Sequence, residues 1–175
     1  MSEAIFANGC FWCTEAVFQR LKGVGKVRSG FTGGNIKNPA YREVVMGYTG
    51  HAEAIHITYD ETVIDYETLL YVFFSTHDPT TLNRQGYDVG TQYRSAIFYT
   101  DDHQKQTAEK VIEKLNAETF DGKIVTKLEP VSEFYEADQE HQNFYNQNTE
   151  YRYCQLVIDP KLAVLKDKYS PYLKS

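Results

Sequence analysis

Cys10 and Cys13 stand three residues apart in Gly9-Cys10-Phe11-Trp12-Cys13, near the start of a chain that has three cysteines. The residues before them, Ala4-Ile5-Phe6-Ala7, read as a short apolar strand, and residues 14–21 read as a helix. Cys10 therefore falls where a strand hands over to a helix. The first N–H groups of a helix lack intrahelical partners and carry partial positive charge. A cysteine there is expected to have a depressed pKa and a large thiolate fraction, and the thiolate is the reactive form. Phe11 and Trp12 add a large apolar surface beside this nucleophile, suited to something small and greasy. On this stretch alone three uses of the Cys-x-x-Cys pair stay open: half a zinc site, a redox pair on one helix face, or two buried thiols acting as small hydrophobes.

Glu53 is the second chemical candidate. Residues 52–59 form the clearest strand, and period-two alternation puts Glu53, Ile55, Ile57 and Tyr59 on one face. A carboxyl at the end of an apolar face loses solvation, which raises its pKa and lets it donate a proton. The competing reading turns Glu53 outward to water. Two loops could border a site: Thr32-Gly33-Gly34-Asn35, where adjacent glycines allow close approach, and the long polar stretch 77–90.

The rest of the chain must position these groups. Its 175 residues make one domain, 1–175, with room for a sizeable core, and 14 Tyr and 10 Phe predict an aromatic one. A net charge of −6 without a Lys/Arg block argues against nucleic acid or an anionic membrane as the main partner. Met1-Ser2-Glu3-Ala4 leads into the first strand with no basic region or cleavage site, and no apolar run approaches membrane-spanning length. The expected compartment is the reducing cytoplasm, where few cysteines point to catalysis, redox or metal use. A monomer is the default expectation.

Coarse periodicity continues the pattern. A helix over 11–21 places Cys13, Val17 and Leu21 on one face. Strands are expected at 27–31, 93–99, 124–128 and 153–158, the last carrying Cys154. Asp65 caps a helix striped with Tyr66, Leu69, Leu70, Phe73 and Phe74, and Asp101 with Gln104 resembles a capping box. Asp159-Pro160 starts a short terminal helix. The class is α+β, with helices packed on one mixed sheet in two layers; the strand order is not legible.

Five stretches together carry a resemblance. They are Gly9-Cys10-Phe11-Trp12, Gly50-His51-Ala52-Glu53, His77-Asp78-Pro79-Thr80, Asn83-Arg84-Gln85-Gly86, and Asp88 through Ser95 with Gly90-Thr91-Gln92-Tyr93-Arg94 between. In this order and spacing the chain resembles the A class of peptide methionine sulfoxide reductases. The resemblance implies a two-layer α/β plait with a ferredoxin-like core, and reduction of methionine S-sulfoxide, free or protein-bound. Carried over residue by residue, Cys10 matches the nucleophile, Glu53 the acid, Tyr41 and Tyr93 the hydroxyl donors, and Asp88 a support residue of the same pocket. Phe11 and Trp12 match the methyl-binding wall. Tyr87 stands where members often have Asn, Glu140 where Tyr is common, and Cys13 where many have Gly.

The implied chemistry leaves Cys10 as a sulfenic acid, which a second thiol must resolve before thioredoxin reduces the disulfide. No bound cofactor or metal is implied. The resolving thiol is Cys154 or Cys13; Cys154 is preferred because Cys13 looks inward with Val17 and Leu21. Two rivals make different demands. A zinc-bound module would use Cys10, Cys13, Cys154 and a histidine. Another thiol enzyme, a peroxidase or a cysteine hydrolase, would use His141 as base.

Overall fold

A computed structural model describes residues 1–174. The chain begins with β1 (Ser2–Asn8), α1 (Phe11–Phe18) and β2 (Val24–Thr32). The short α2 (Tyr41–Val45) precedes β3 (Ala52–Tyr59) and α3 (Tyr66–Ser75). A small hairpin of β4 (Arg84–Gln85) and β5 (Asp88–Val89) leads to β6 (Ser95–Tyr99). Then come α4 (Asp102–Glu118), β7 (Lys127–Pro130), β8 (Tyr135–Glu136), α5 (Phe144–Gln147) and α6 (Asp159–Tyr169).

Six strands form one mixed sheet in the order β7-β6-β1-β3-β2-β8, with β6 and β7 parallel and the other neighbours antiparallel. Its centre, β6-β1-β3-β2, is built from β1-α1-β2-β3-α3-β6 in chain order. That is the split β-α-β arrangement of a ferredoxin-like plait, as the resemblance implied. The core follows from the alternation in β3. Ile55, Ile57 and Tyr59 join Phe6, Phe18, Leu69 and Phe73 in the main apolar cluster under α1 and α3. Ala52 and Ala54 face the other way, with Ile5, Ala7, Ala96 and Phe98.

The register explains how two distant residues meet. Phe6 lies opposite Ile55 in the β1–β3 ladder, so the end of β1 comes level with the start of β3. Gly9 then turns the chain into α1 with φ of 111°, a conformation that favours glycine; a Cβ there would meet the Gln85 side chain at 2.9 Å.

Several sequence expectations need correction. Residues 153–158 are helical, not a strand: Cys154–Ile158 form a π-helical turn running into α6. Cys154 and Ile158 are both buried, a four-residue spacing that suits a helix packed on α1. Pro160 lacks the N–H that regular helix bonding needs, which favours a wider turn here. Helix α1 stops at Phe18, short of residue 21. The strand expected at 93–99 starts at Ser95, because residues Thr91–Tyr93 form a 3₁₀ turn. The one expected at 124–128 is Lys127–Pro130. Asp101 does cap α4, accepting the Gln104 N–H at 2.8 Å, but the Gln104 side chain bonds the Thr100 N–H rather than completing a box.

Candidate active site

Cys10 is the N-cap of α1 and is only 7% exposed. One residue on, the Phe11 N–H donates to Glu53 Oε1 at 3.2 Å. Glu53 is 1% exposed, so the outward-facing reading is overturned: its position at the start of β3 lies under the start of α1. Oε2 is buried and has no hydrogen-bond partner among the described residues. Burial pushes the Glu53 pKa up to about 8, against the pull of the Phe11 N–H, so the carboxyl is neutral at pH 7. A neutral carboxyl carries the proton that a general acid needs.

The expected depression of the Cys10 pKa is not found. Burial pushes the thiol well above the ordinary cysteine range, and the adjoining Cys13 thiol and Glu53 add to it. The Trp12 N–H pulls the other way, as a helix start should, but burial outweighs it. Cys13 moves in the opposite direction. The neighbouring Cys10 thiol holds its pKa down against the effect of burial, and the Lys161 charge and Tyr153 hydroxyl assist.

The three thiols are gathered in one buried cluster with Ala16 and Ile158. Cys13 therefore does not look inward with Val17, which belongs to the main core. It faces Cys10, and the reason for preferring Cys154 as the resolving thiol falls. Cys154 is fully buried in the π-helical turn.

The two tyrosines are positioned by the loops that flank β3 and β6. Tyr41 opens α2, and Tyr93 ends the 3₁₀ turn before β6. Gln92 Nε2 donates to Val45 O at 2.9 Å, tying that turn to α2. Arg94 pairs with Glu129 at 3.1 Å and donates to the carbonyls of Gly50 and Thr91, which locks the turn to the start of β3. Burial, with Glu53 next in weight, raises both tyrosine pKa values, so the hydroxyls stay protonated and able to donate.

Phe11 and Trp12 differ in placement. Phe11 is fully buried and packs against Phe31 and Tyr41. Trp12 is half-buried, stacked on Phe144 with ring centroids 3.8 Å apart, and edge-on to Tyr153. Buried Glu15 holds Phe144 in place by accepting the N–H groups of Asn143 and Phe144 at 2.9 and 3.2 Å.

Asp88, in the hairpin, accepts the Tyr153 hydroxyl at 2.8 Å, and that hydroxyl lies 3.5 Å from Cys13 Sγ. Asp88, Tyr153 and Lys161 line a cleft of about 380 Å³ that reaches both Cys10 and Cys13. Lys161 Nζ donates to Thr76 O at 2.7 Å, which aims its charge into this region. Sequence reasoning missed Tyr153, Lys161, Glu15 and Arg94 as site residues. Their partners lie 35 to 140 residues away, except for local contacts, and no periodicity signals such pairings. Among the described residues, no three His, Cys, Asp or Glu side chains are grouped to hold a metal ion, and no helix is long and apolar enough to cross a membrane.

A family model described as "Peptide methionine sulfoxide reductase" matches residues 2–172. A curated protein from Chromobacterium violaceum named "Peptide methionine sulfoxide reductase MsrA" is 54% identical, with 100% of each chain covered. Mxr1 from Saccharomyces cerevisiae in its reduced form is similar in structure, with a TM-score of 0.80 and 32% identity over 87% of this chain and 88% of that one. Mxr1 in complex with Trx2 aligns with a TM-score of 0.56 and 26% identity, over 82% of this chain and 84% of that one.

Proposed function

Because the chain belongs to the peptide methionine sulfoxide reductase family, we propose that the Cys10–Glu53 pair performs its chemical step within one reductase domain, 1–175. The protein reduces methionine S-sulfoxide to methionine, and thioredoxin supplies the electrons. The zinc module and the alternative thiol enzyme are not favoured.

A sulfoxide needs a nucleophile for sulfur and a proton for oxygen. Cys10 gives up its thiol proton to solvent and attacks the sulfur as a thiolate. Glu53 gives its proton to the sulfoxide oxygen. Tyr41 and Tyr93 donate hydrogen bonds to that oxygen as it gains charge, in a site too buried for water to compete. The bond between Cys10 and the substrate sulfur and the S–O bond then break as the OH passes to the Cys10 sulfur, so that methionine leaves with its sulfur reduced by two electrons and Cys10 becomes a sulfenic acid. Trp12, backed by the buried Phe11 ring, holds the S-methyl group, worth roughly 1 kcal/mol for burial, with some sulfur–aromatic gain. Methyl on one side and oxygen on the other select one configuration at sulfur.

Cys13 then attacks the Cys10 sulfur. The S–S bond forms, the S–OH bond breaks, and the hydroxide leaves as water with the Cys13 proton. Residues three apart at a helix start suit the reach of a disulfide. Thioredoxin's thiolate reaches the disulfide through the cleft beside Tyr153 and Lys161, and exchange restores both thiols.

The Phe11 N–H to Glu53 contact carries this reading, since it sets a neutral acid one residue from the nucleophile. Counting thiols after denaturation tests it. One equivalent of the S-sulfoxide should lower the count from three to one; a count that stays at three would contradict the reading.

A further inference from the structure

His141 takes no part in the chemistry above, yet it touches three residues that shape the pocket. It ends the 3₁₀ turn Gln139–His141 and is 8% exposed. Its Nδ1 accepts the Trp12 Nε1–H at 3.3 Å. Its ring stacks on Tyr41, with centroids 4.1 Å apart and planes at 28°, and lies tilted against Phe11 at 5.7 Å. Phe144 stacks on the Trp12 face and restrains its tilt, but stacking alone lets a ring slide in its own plane. The hydrogen bond to His141 supplies the in-plane restraint. An indole N–H can only donate, so its partner must accept. This assigns His141 as neutral, with its proton on Nε2, where Glu140 Oε1 lies 3.9 Å away.

We propose that His141 is a positioning residue for substrate binding: as a neutral acceptor it sets the in-plane position of the Trp12 indole, and so the shape of the wall that receives the sulfoxide's methyl group. The proposal rests on the reading of Phe11 and Trp12 as that wall. Protonation would turn Nδ1 into a donor facing a donor and release the indole. The groups around the imidazole are Phe11 and Trp12 from α1, Tyr41 from α2, and Asp138 and Glu140 from its own turn. Burial lowers its pKa and prevails over the two carboxylates, which favours the neutral form at neutral pH.

Trp12 is the only tryptophan, so emission excited beyond the tyrosine absorption edge reads this residue alone. His141→Phe keeps a ring over Tyr41 and removes the acceptor. His141→Asn removes the ring and keeps an amide oxygen able to accept. The Phe variant should raise KM for methionine S-sulfoxide roughly three- to tenfold, the range for one hydrogen bond, with the rate at saturation within about twofold. It should also lose the change in emission that the wild type shows as acid protonates His141. The Asn variant should keep KM within about twofold of wild type. An unchanged KM in the Phe variant, or an emission titration that persists in it, overturns the proposal. So does a wild-type emission that stays constant down to the pH where the protein unfolds, a measurement that needs no variant. Trp12→Leu separates the two layers. If it leaves KM unchanged, the methyl-wall reading fails and takes the proposal with it; if it raises KM while His141→Phe does not, only the role of His141 fails.

Discussion

The Phe11 N–H meets Glu53 Oε1 across 3.2 Å, and this contact ties the first turn of α1 to the first residues of β3. It holds one carboxylate oxygen and leaves the other buried without a partner among the described residues. A single N–H is too little to keep a carboxylate charged in so apolar a place, and the result is a neutral acid next to Cys10.

Cys10→Ser should abolish turnover of methionine S-sulfoxide while leaving the fold intact, because a serine hydroxyl is a far weaker nucleophile than sulfur at this position. Steady-state assay with purified thioredoxin and its reductase measures this. Retained turnover would remove Cys10 from the role of nucleophile.

Glu53→Gln should make the protein more stable near neutral pH. Above its ordinary value of 4.5 the unfolded chain gives up this proton, whereas the folded protein keeps it until about pH 8. The folded state therefore binds more protons across that window, and wild-type stability falls as pH rises through it. Removing the titration should add on the order of 3 kcal/mol at pH 7. Urea unfolding at about pH 5 and about pH 8 reads it. Equal pH dependence in both proteins would mean that Glu53 is ionised in the fold.

Much of this arrangement was legible in the chain itself. The alternation of Glu53, Ile55, Ile57 and Tyr59 predicted a shared face, and those side chains do point under the helices. The Asp65 cap is present, accepting the Thr68 N–H at 2.8 Å. What stayed hidden was decided by tertiary contact. Leu156-Val157-Ile158 has strand-like composition, but Cys154 and Ile158 bury themselves on α1 only if that segment is helical. The helix-start effect on Cys10 was sound in sign, yet its weight against burial depends on neighbours no local pattern reveals. The same holds for Tyr153, which joins Asp88 to Cys13 across 65 and 140 residues of chain.

Cys13→Ser should trap Cys10 as a sulfenic acid, detectable with a dimedone-type probe, while Cys154→Ser should still form a disulfide in one turnover. Peptide mapping of the wild type should show Cys10 linked to Cys13. A Cys10–Cys154 link would return the resolving role to the third thiol.

Lys161→Met should slow disulfide formation severalfold, because Cys13 loses a nearby positive charge that favours its thiolate. Its effect on the first step should be smaller. Stopped-flow rates of the two phases separate them; equal rates of disulfide formation in variant and wild type would leave Lys161 with only its bond to Thr76.

The central claim is that a protonated Glu53 delivers its proton as Cys10 attacks sulfur. The pre-steady-state burst of methionine, followed from about pH 6 to about pH 10 in wild type and Glu53→Gln, tests it most directly. The wild-type burst should slow as pH rises through about 8, and the Gln variant should be slower by a factor of roughly ten to a thousand, with no such fall. A Gln variant that bursts at the wild-type rate would contradict the account.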